Sequence, residues 1–312
     1  MTRVAAVDCG TNSIRLLVTD VDAAAGTQVD LDRRLEIVRL GQGVDRTGRL
    51  APDALARTLM VLREYADVIQ DLGAEQTRMV ATSATRDAVN RADFVAGVVD
   101  VLGVEPEVVS GREEAELSFA GAVRDLPDGV AGPGLVVDIG GGSTELAFGS
   151  HHAQAVRSVD IGCVRLTERH FHTDPPQAAQ VAAARADIDS VLEDASSTVP
   201  FELAASLIGL AGSVTTVAAI HLGLPAYDPT LIHHSRIPAA KVVDISMGLL
   251  AASRQARAAI PAMHPGRVDV IAAGALILRR IVERVGVAEV VVSERDILDG
   301  IAWSLASAEP VR

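Results

Sequence analysis

The feature that most constrains this chain is a repeated turn. Val7-Asp8-Cys9-Gly10-Thr11-Asn12-Ser13-Ile14-Arg15-Leu16 returns in outline, 130 residues later, as Val137-Asp138-Ile139-Gly140-Gly141-Gly142-Ser143-Thr144-Glu145-Leu146. In both copies an apolar run ends on an aspartate, small residues follow, and a second run begins, over 14–19 and 144–148. The pattern predicts two strand-turn-strand units, and 312 residues are enough for a domain around each. Glycines allow positive φ and close backbone approach, so successive N–H groups of such a turn can converge on a phosphate. Asn12, Ser13, Gly140, Gly141, Gly142 and Ser143 are therefore candidate phosphate-binding residues. The aspartate ahead of each turn can hold a cation, although Asp8 also suits simple capping of its turn. A third small-residue turn, Gly209-Leu210-Ala211-Gly212-Ser213-Val214-Thr215-Thr216, follows Leu207-Ile208 and leads into a predicted helix. Gly212 and Ser213 would add donors at a helix N-terminus, or form only a strand-to-helix cap.

Around these turns the pattern is α/β. Leu55, Leu59, Leu62 and Ile69 fit one face of a helix ending before Gly73, and Met79-Val80-Ala81 and Val108-Val109 fit short buried strands. Long helical patterns cover 241–257 and 268–285, a strand 289–293, and a closing helix 296–308. Segment 125–134 holds two prolines and three glycines and reads as a linker. The expected domains are 1–125 and 126–312, with the closing helix packing back on the first.

Composition removes several function classes. A net charge of −13 with 3% aromatic residues offers neither a basic face nor stacking platforms, so nucleic acid is not an expected partner. The sole lysine, Lys241, follows none of the glycine turns, which removes a Walker A mechanism and leaves arginines and backbone N–H groups to hold any polyanion. The longest apolar segment, 270–278, is about half the ~20 residues a membrane span needs, and Asp8 interrupts the N-terminal apolar run before a signal core is complete. Cys9 and Cys163 match neither a disulfide framework nor a metal spacing, so a cytoplasmic setting is expected, with Cys9 as a buried small hydrophobe. The clusters His151-His152, His170-Phe171-His172 and His233-His234 lack the helical zinc spacing and indicate no third ligand, so no metal site is expected there.

Four segments together, Asp8-Cys9-Gly10-Thr11-Asn12-Ser13, Ala81-Thr82-Ser83-Ala84-Thr85-Arg86, Ser110-Gly111-Arg112-Glu113-Glu114-Ala115 and Asp138-Ile139-Gly140-Gly141-Gly142-Ser143-Thr144-Glu145, give the chain a family likeness. In order and spacing it resembles the exopolyphosphatase/guanosine pentaphosphate phosphatase (Ppx/GppA) family of the actin, sugar-kinase and chaperone ATPase superfamily, over nearly its whole length. The resemblance implies an α/β fold of two actin-like (ribonuclease H-like) domains with a cleft between them. It implies Glu114, rather than Glu113, as the base for the attacking water, and Arg86 as a catalytic arginine. Asp138 and Glu145 match family carboxylates at the phosphate turn, and with Asp8 they would hold Mg²⁺ or another divalent cation. Arg15 follows the first turn and Arg267 sits in a segment similar to a family Arg-Ala-Asp motif; both are candidate phosphate contacts, with ordinary surface arginines as the alternative.

The activity so implied is release of orthophosphate from the end of inorganic polyphosphate, with removal of the 5′ terminal phosphate of guanosine pentaphosphate as the alternative. Two readings of other classes stay open: an ATP-dependent small-molecule kinase on the same superfamily fold, which the Ser110 to Ala115 segment argues against, and a noncatalytic alarmone or polyphosphate sensor. Longer family members carry further helical and HD-type domains; their absence here leads to an expectation of short substrates and distributive cleavage. Neither membrane nor nucleic acid is expected as a partner, and there is room for a homodimer.

Overall fold

The computed structural model describes residues 1–307 of the chain. The expected end of the closing helix at 308 lies outside the described residues. The chain divides into unit 1, Met1–Gly121 with the segment from Ile297 onward, and unit 2, Ala122–Asp296.

In unit 1, Val4–Val7 is uninterruptedly apolar, the mark of a strand covered on both faces, and β1 (Thr2–Cys9) is the central strand of its sheet. The chain turns into β2 (Ser13–Asp22) and then β3 (Thr27–Ile37), an antiparallel meander. A short helix α1 (Val44–Thr47) and the long α2 (Pro52–Leu72), closed by Gly73, lead to β4 (Gln76–Ala81). Helices α3 (Ser83–Asp87) and α4 (Arg91–Leu102) lead to β5 (Glu107–Val108), which is followed by α5 (Gly111–Val123). The sheet order is β3-β2-β1-β4-β5, with β4 parallel to β1 and β5 parallel to β4. Strand side chains alternate between faces. Ala5, Val7 and Cys9 pack toward Leu62, Tyr65, Phe94 and Val98 of α2 and α4. Val4 and Ala6 pack on the other face, toward Leu117 of α5.

Unit 2 repeats this plan. Strands β6 (Gly134–Ile139), β7 (Thr144–Gly149) and β8 (Ala153–Val159) form the antiparallel meander. Helices α6 (Cys163–His170) and α7 (Ala178–Ala195) lead to β9 (Ser206–Leu210), parallel to β6. Then come α8 (Ala211–His221), α9 (Pro229–Ile232), β10 (Arg236–Pro238), α10 (Ala239–Ala251), α11 (Arg254–Ala258), α12 (Ile271–Val285) and β11 (Glu289–Val292). The order β10-β11-β9-β6-β7-β8 matches the first sheet strand for strand, with β10 added at the edge. The chain then returns to unit 1, where α13 (Ile297–Ser307) covers the second face of the sheet with Ile297, Leu298, Ile301 and Trp303.

Several expected elements differ in detail. The helix expected over 241–257 is two helices, because Ser253 caps a new one by accepting the Ala256 N–H while the buried Arg257 donates to the carbonyls of Ala252 and Val268 and to Asp174. The helix expected from 268 begins at Ile271, after a 3₁₀ turn at Pro265–Arg267. Strand β5 stops at Val108, although the Val109 N–H still donates to the Ala81 carbonyl at 3.1 Å.

Candidate active site

Both repeated turns have their carbonyls held on one side. In unit 1 the Thr11 carbonyl accepts the Gly41 N–H at 2.8 Å, and the Asn12 carbonyl accepts those of Val38 and Arg39 at 3.1 and 2.9 Å. In unit 2 the first turn of α6 performs this task. Cys163 N–H donates to the Gly140 carbonyl at 3.0 Å, and Val164 and Arg165 N–H donate to that of Gly141 at 2.9 and 3.1 Å. The Arg165 side chain adds Nε to the Gly142 carbonyl at 2.6 Å. In a trans peptide the C=O and the following N–H point opposite ways. Restraining these carbonyls therefore turns the N–H groups of Asn12 and Ser13, and of Gly141, Gly142 and Ser143, to the other side of each turn, as a concave anion cradle requires.

The same register gives the two turns opposite charge chemistry. Asp8 faces Arg15 across β1 and β2, and Asp138 faces Glu145 across β6 and β7. Arg15 donates to Asp8 Oδ2 from Nε at 3.0 Å and Nη2 at 2.7 Å, so the first carboxylate has a built-in counter-ion. Asp138 and Glu145 are both buried, and Glu145 accepts a hydrogen bond from Ser158 Oγ at 2.7 Å. Two buried carboxylates directly opposite repel. The donor set, hard oxygens beside a turn of outward N–H groups, fits Mg²⁺ or a similar divalent cation that keeps waters or phosphate oxygens as its remaining ligands.

The two glutamates at the start of α5 part company. Glu113 points to Arg78, 2.9 Å away, which also holds Glu107 and Ser304. Glu114 is buried and accepts from Arg86 Nη1 at 3.1 Å, while the same Nη1 donates to the Val109 carbonyl. Arg86 thus fixes the carboxylate to the end of β5.

At the third turn, β9 runs into α8 through Ala211, which has φ of 65°, a left-handed conformation unusual for alanine. Arg267 lies against Gly212, where an added Cβ would stand 2.5 Å from its Cζ, so only glycine lets the guanidinium come this close. Arg267 Nη1 donates to Thr216 Oγ1 at 3.1 Å, and Thr216 Oγ1 donates to the Gly212 carbonyl at 2.6 Å. Ser213 is buried against Gly274 and Cys163, which leaves its backbone N–H as the group it can offer to a ligand. Burial pushes the Cys163 thiol up to about 11, and Cys9 is likewise raised by burial, as befits inert core thiols.

Sequence reasoning missed Arg165, Ser158, Tyr227 and Glu294, which lie in no motif, and did not single out Thr216 within the third turn. It also held that His233-His234 had no third ligand, and here the structure corrects it: Asp125 brings a carboxylate into the cluster. His233 Nδ1 accepts the Glu294 N–H at 3.1 Å, which leaves the ring proton on Nε2, 3.1 Å from Asp125 Oδ2. The two imidazoles stack with centroids 3.6 Å apart at 30°, so their in-plane lone pairs do not converge. A metal-bound histidine donates through its other nitrogen, the reverse of what His233 does. The cluster has the chemistry of a hydrogen-bonded joint. Among the described residues no helix is long and apolar enough to cross a membrane.

Two α/β sheets of matching strand order, each carrying a glycine-containing turn, with a cross-strand carboxylate pair and an arginine-held glutamate, define a protein of doubled α/β fold. The Ppx/GppA phosphatase family model matches residues 17–309. The chain belongs to that family. It is 53% identical to exopolyphosphatase 2 of Mycobacterium tuberculosis, over 98% of this chain and 99% of that one. A crystal structure described as an exopolyphosphatase-like protein superposes with a TM-score of 0.95 at 40% identity, covering 97% of both chains. The guanosine-5′-triphosphate,3′-diphosphate pyrophosphatase of Vibrio cholerae is 40% identical, over 54% of this chain and 33% of its own length.

Proposed function

We propose that this protein is an exopolyphosphatase that hydrolyses the terminal phosphoanhydride bond of inorganic polyphosphate and releases orthophosphate. The observation that carries polyphosphate over guanosine pentaphosphate is the match to the mycobacterial exopolyphosphatase along essentially the whole of both chains, against about half of this chain for the Vibrio pyrophosphatase. Aromatic residues make up 3% of the chain and Tyr65 is buried in the unit 1 core, so few rings are offered for stacking on guanine.

Within unit 1 the catalytic pair is Glu114 and Arg86. Glu114 takes a proton from the attacking water; the water oxygen bonds to the terminal phosphorus, the bridging P–O bond breaks, and the shortened chain leaves as a phosphate anion. Arg86 orients the carboxylate through their 3.1 Å hydrogen bond. Within unit 2 the outward N–H groups of Gly141, Gly142 and Ser143, together with Gly212, Ser213 and Arg267, are the groups that grip phosphate oxygens. Asn12 and Ser13 offer equivalent backbone donors in unit 1. Asp138 and Glu145 would hold a divalent cation, which when bound offsets charge on adjacent phosphates. Asp8 serves as counter-ion to Arg15 and keeps that guanidinium in place as a phosphate contact. The two buried, free cysteines support a reducing, cytoplasmic setting.

The deciding experiment compares orthophosphate release from polyphosphate and from guanosine pentaphosphate at equal enzyme concentration. Higher kcat/KM on polyphosphate is expected, and a preference for the nucleotide would replace this assignment. Phosphate transfer from ATP to an added alcohol, with none released from polyphosphate, would move the protein to the kinase class.

A further inference from the structure

We propose that Tyr227 is the positioning residue for Arg267, and that through this arginine it sets the grip of the third turn on the phosphate chain. The proposal rests on reading Arg267 as a phosphate contact. Tyr227 belongs to the connection between α8 and α9, outside every recognisable motif. Its ring lies 5.7 Å from Arg267 Cζ, within the range of cation–π attraction. Its hydroxyl is 2.5 Å from Glu294 Oε1 and 2.8 Å from Thr215 Oγ1. With one proton, the phenol donates to the carboxylate and accepts from threonine. Burial and the adjacent Glu294 carboxylate both raise the phenol's pKa, so that proton stays in place. Glu294 is anchored in turn, since its N–H donates to His233 Nδ1.

The arginine is therefore held from three sides: the Tyr227 ring, Thr216 Oγ1 and the bare backbone of Gly212. In a chain of net charge −13 where most arginines near a carboxylate are paired with it, Arg267 has no carboxylate partner among the described residues. Most of its five N–H donors thus stay available to an anion. A flexible arginine must give up rotamer freedom each time it binds; one already clamped by a ring gives up less, so losing the clamp should weaken binding about tenfold.

The test is steady-state kinetics on polyphosphate for Tyr227→Leu, Tyr227→Phe, Arg267→Gln and both Tyr227 variants combined with Arg267→Gln. Tyr227→Leu is expected to raise KM about tenfold with kcat changed less than about threefold, and Tyr227→Phe, which loses only the hydroxyl anchor, to raise KM about threefold. Neither should raise KM further once Arg267 is glutamine, because the tyrosine acts through the arginine. If Arg267→Gln raises KM but Tyr227→Leu does not, or if the two effects simply add, the positioning role is overturned while the phosphate reading of Arg267 stands. If Arg267→Gln itself leaves KM unchanged, the phosphate reading fails and the proposal with it. Should Tyr227→Leu not fold, the Phe variant decides on the same criteria.

Discussion

Asp138 and Glu145 stand directly opposite one another on β6 and β7, at the register position that Asp8 and Arg15 occupy on β1 and β2. A single change of sign across the repeat thus separates a turn whose aspartate faces an arginine from one whose aspartate faces a glutamate. Cross-strand pairs are the unit of sheet stability, and like charges directly opposite are destabilising.

Asp138→Asn or Glu145→Gln should therefore act in two directions. Without divalent cation, either variant is expected to be more stable than wild type, by about 1 kcal/mol or less, because the repulsion is gone. The stabilisation that Mg²⁺ gives wild type should shrink in both, and the Mg²⁺ concentration needed for activity should rise. Thermal melts with chelator and with Mg²⁺, alongside activity titrations, measure both effects. Equal Mg²⁺-induced stabilisation in wild type and variants would remove these carboxylates from cation binding.

Glu114→Gln is expected to lower kcat by about 10²–10⁴ while KM changes little, since the amide keeps the shape and accepts no proton. Glu113→Gln should stay within a few-fold of wild type, because its carboxylate belongs to the Arg78 network and its side chain is 45% exposed. Rates of both variants with one polyphosphate preparation decide the matter. Comparable losses in the two would mean that the helix start matters and not the particular carboxylate.

What the sequence made legible follows from where side chains carry their own signal. The paired turns stood out because Gly10 to Ser13 and Gly140 to Ser143 interrupt apolar strands with small residues at a constant offset. Strand β3 did not, because it is an edge strand whose Asp30, Asp32, Arg33, Arg34 and Glu36 face solvent and one another and so erase the apolar alternation. The break between α10 and α11 was hidden because Ala252-Ser253 is compatible with helix, and only the distant contacts of Arg257 with Asp174 and Val268 favour a new start. Arg165 and Tyr227 were illegible for a related reason. Each meets a partner distant in sequence, Gly142 for Arg165 and Arg267 for Tyr227, and nothing local distinguishes them from surface residues.

Two glycine replacements should separate folding from binding. An added Cβ at Gly162 would lie 2.3 Å from the Gly141 carbonyl oxygen, a backbone atom that cannot swing aside. Gly162→Ala must push α6 off the turn it restrains, so a loss of about 1–3 kcal/mol together with weaker substrate binding is expected. At Gly212 the atoms in the way are the tip of Arg267, which can move. Gly212→Ala should keep its stability within about 1 kcal/mol of wild type yet raise KM for polyphosphate, because the displaced guanidinium no longer faces the anion. Denaturant titrations and KM values on the same preparations provide the comparison, and the reverse pattern would refute it.

The histidine joint makes a prediction about pH. His234 has a left-handed backbone, φ 62°, and its Nε2 is buried with no hydrogen-bond partner. Burial, with the neighbouring His233, lowers its pKa below the ordinary value of 6.5, and the nearby Asp125 only partly offsets this. The unfolded chain then binds a proton more readily than the folded one, so stability rises with pH in this range. The contribution of His234 is fully present above about pH 6.5 and is lost as pH falls through the lower, folded-state pKa. Replacing it with asparagine removes the titration, and asparagine tolerates the left-handed conformation better than most residues. His234→Asn should therefore lose less stability than wild type between pH 7 and pH 5, with little difference above pH 7. Urea unfolding at closely spaced pH values tests this directly. Parallel pH profiles for the two proteins would show that protonation of His234 is not coupled to folding.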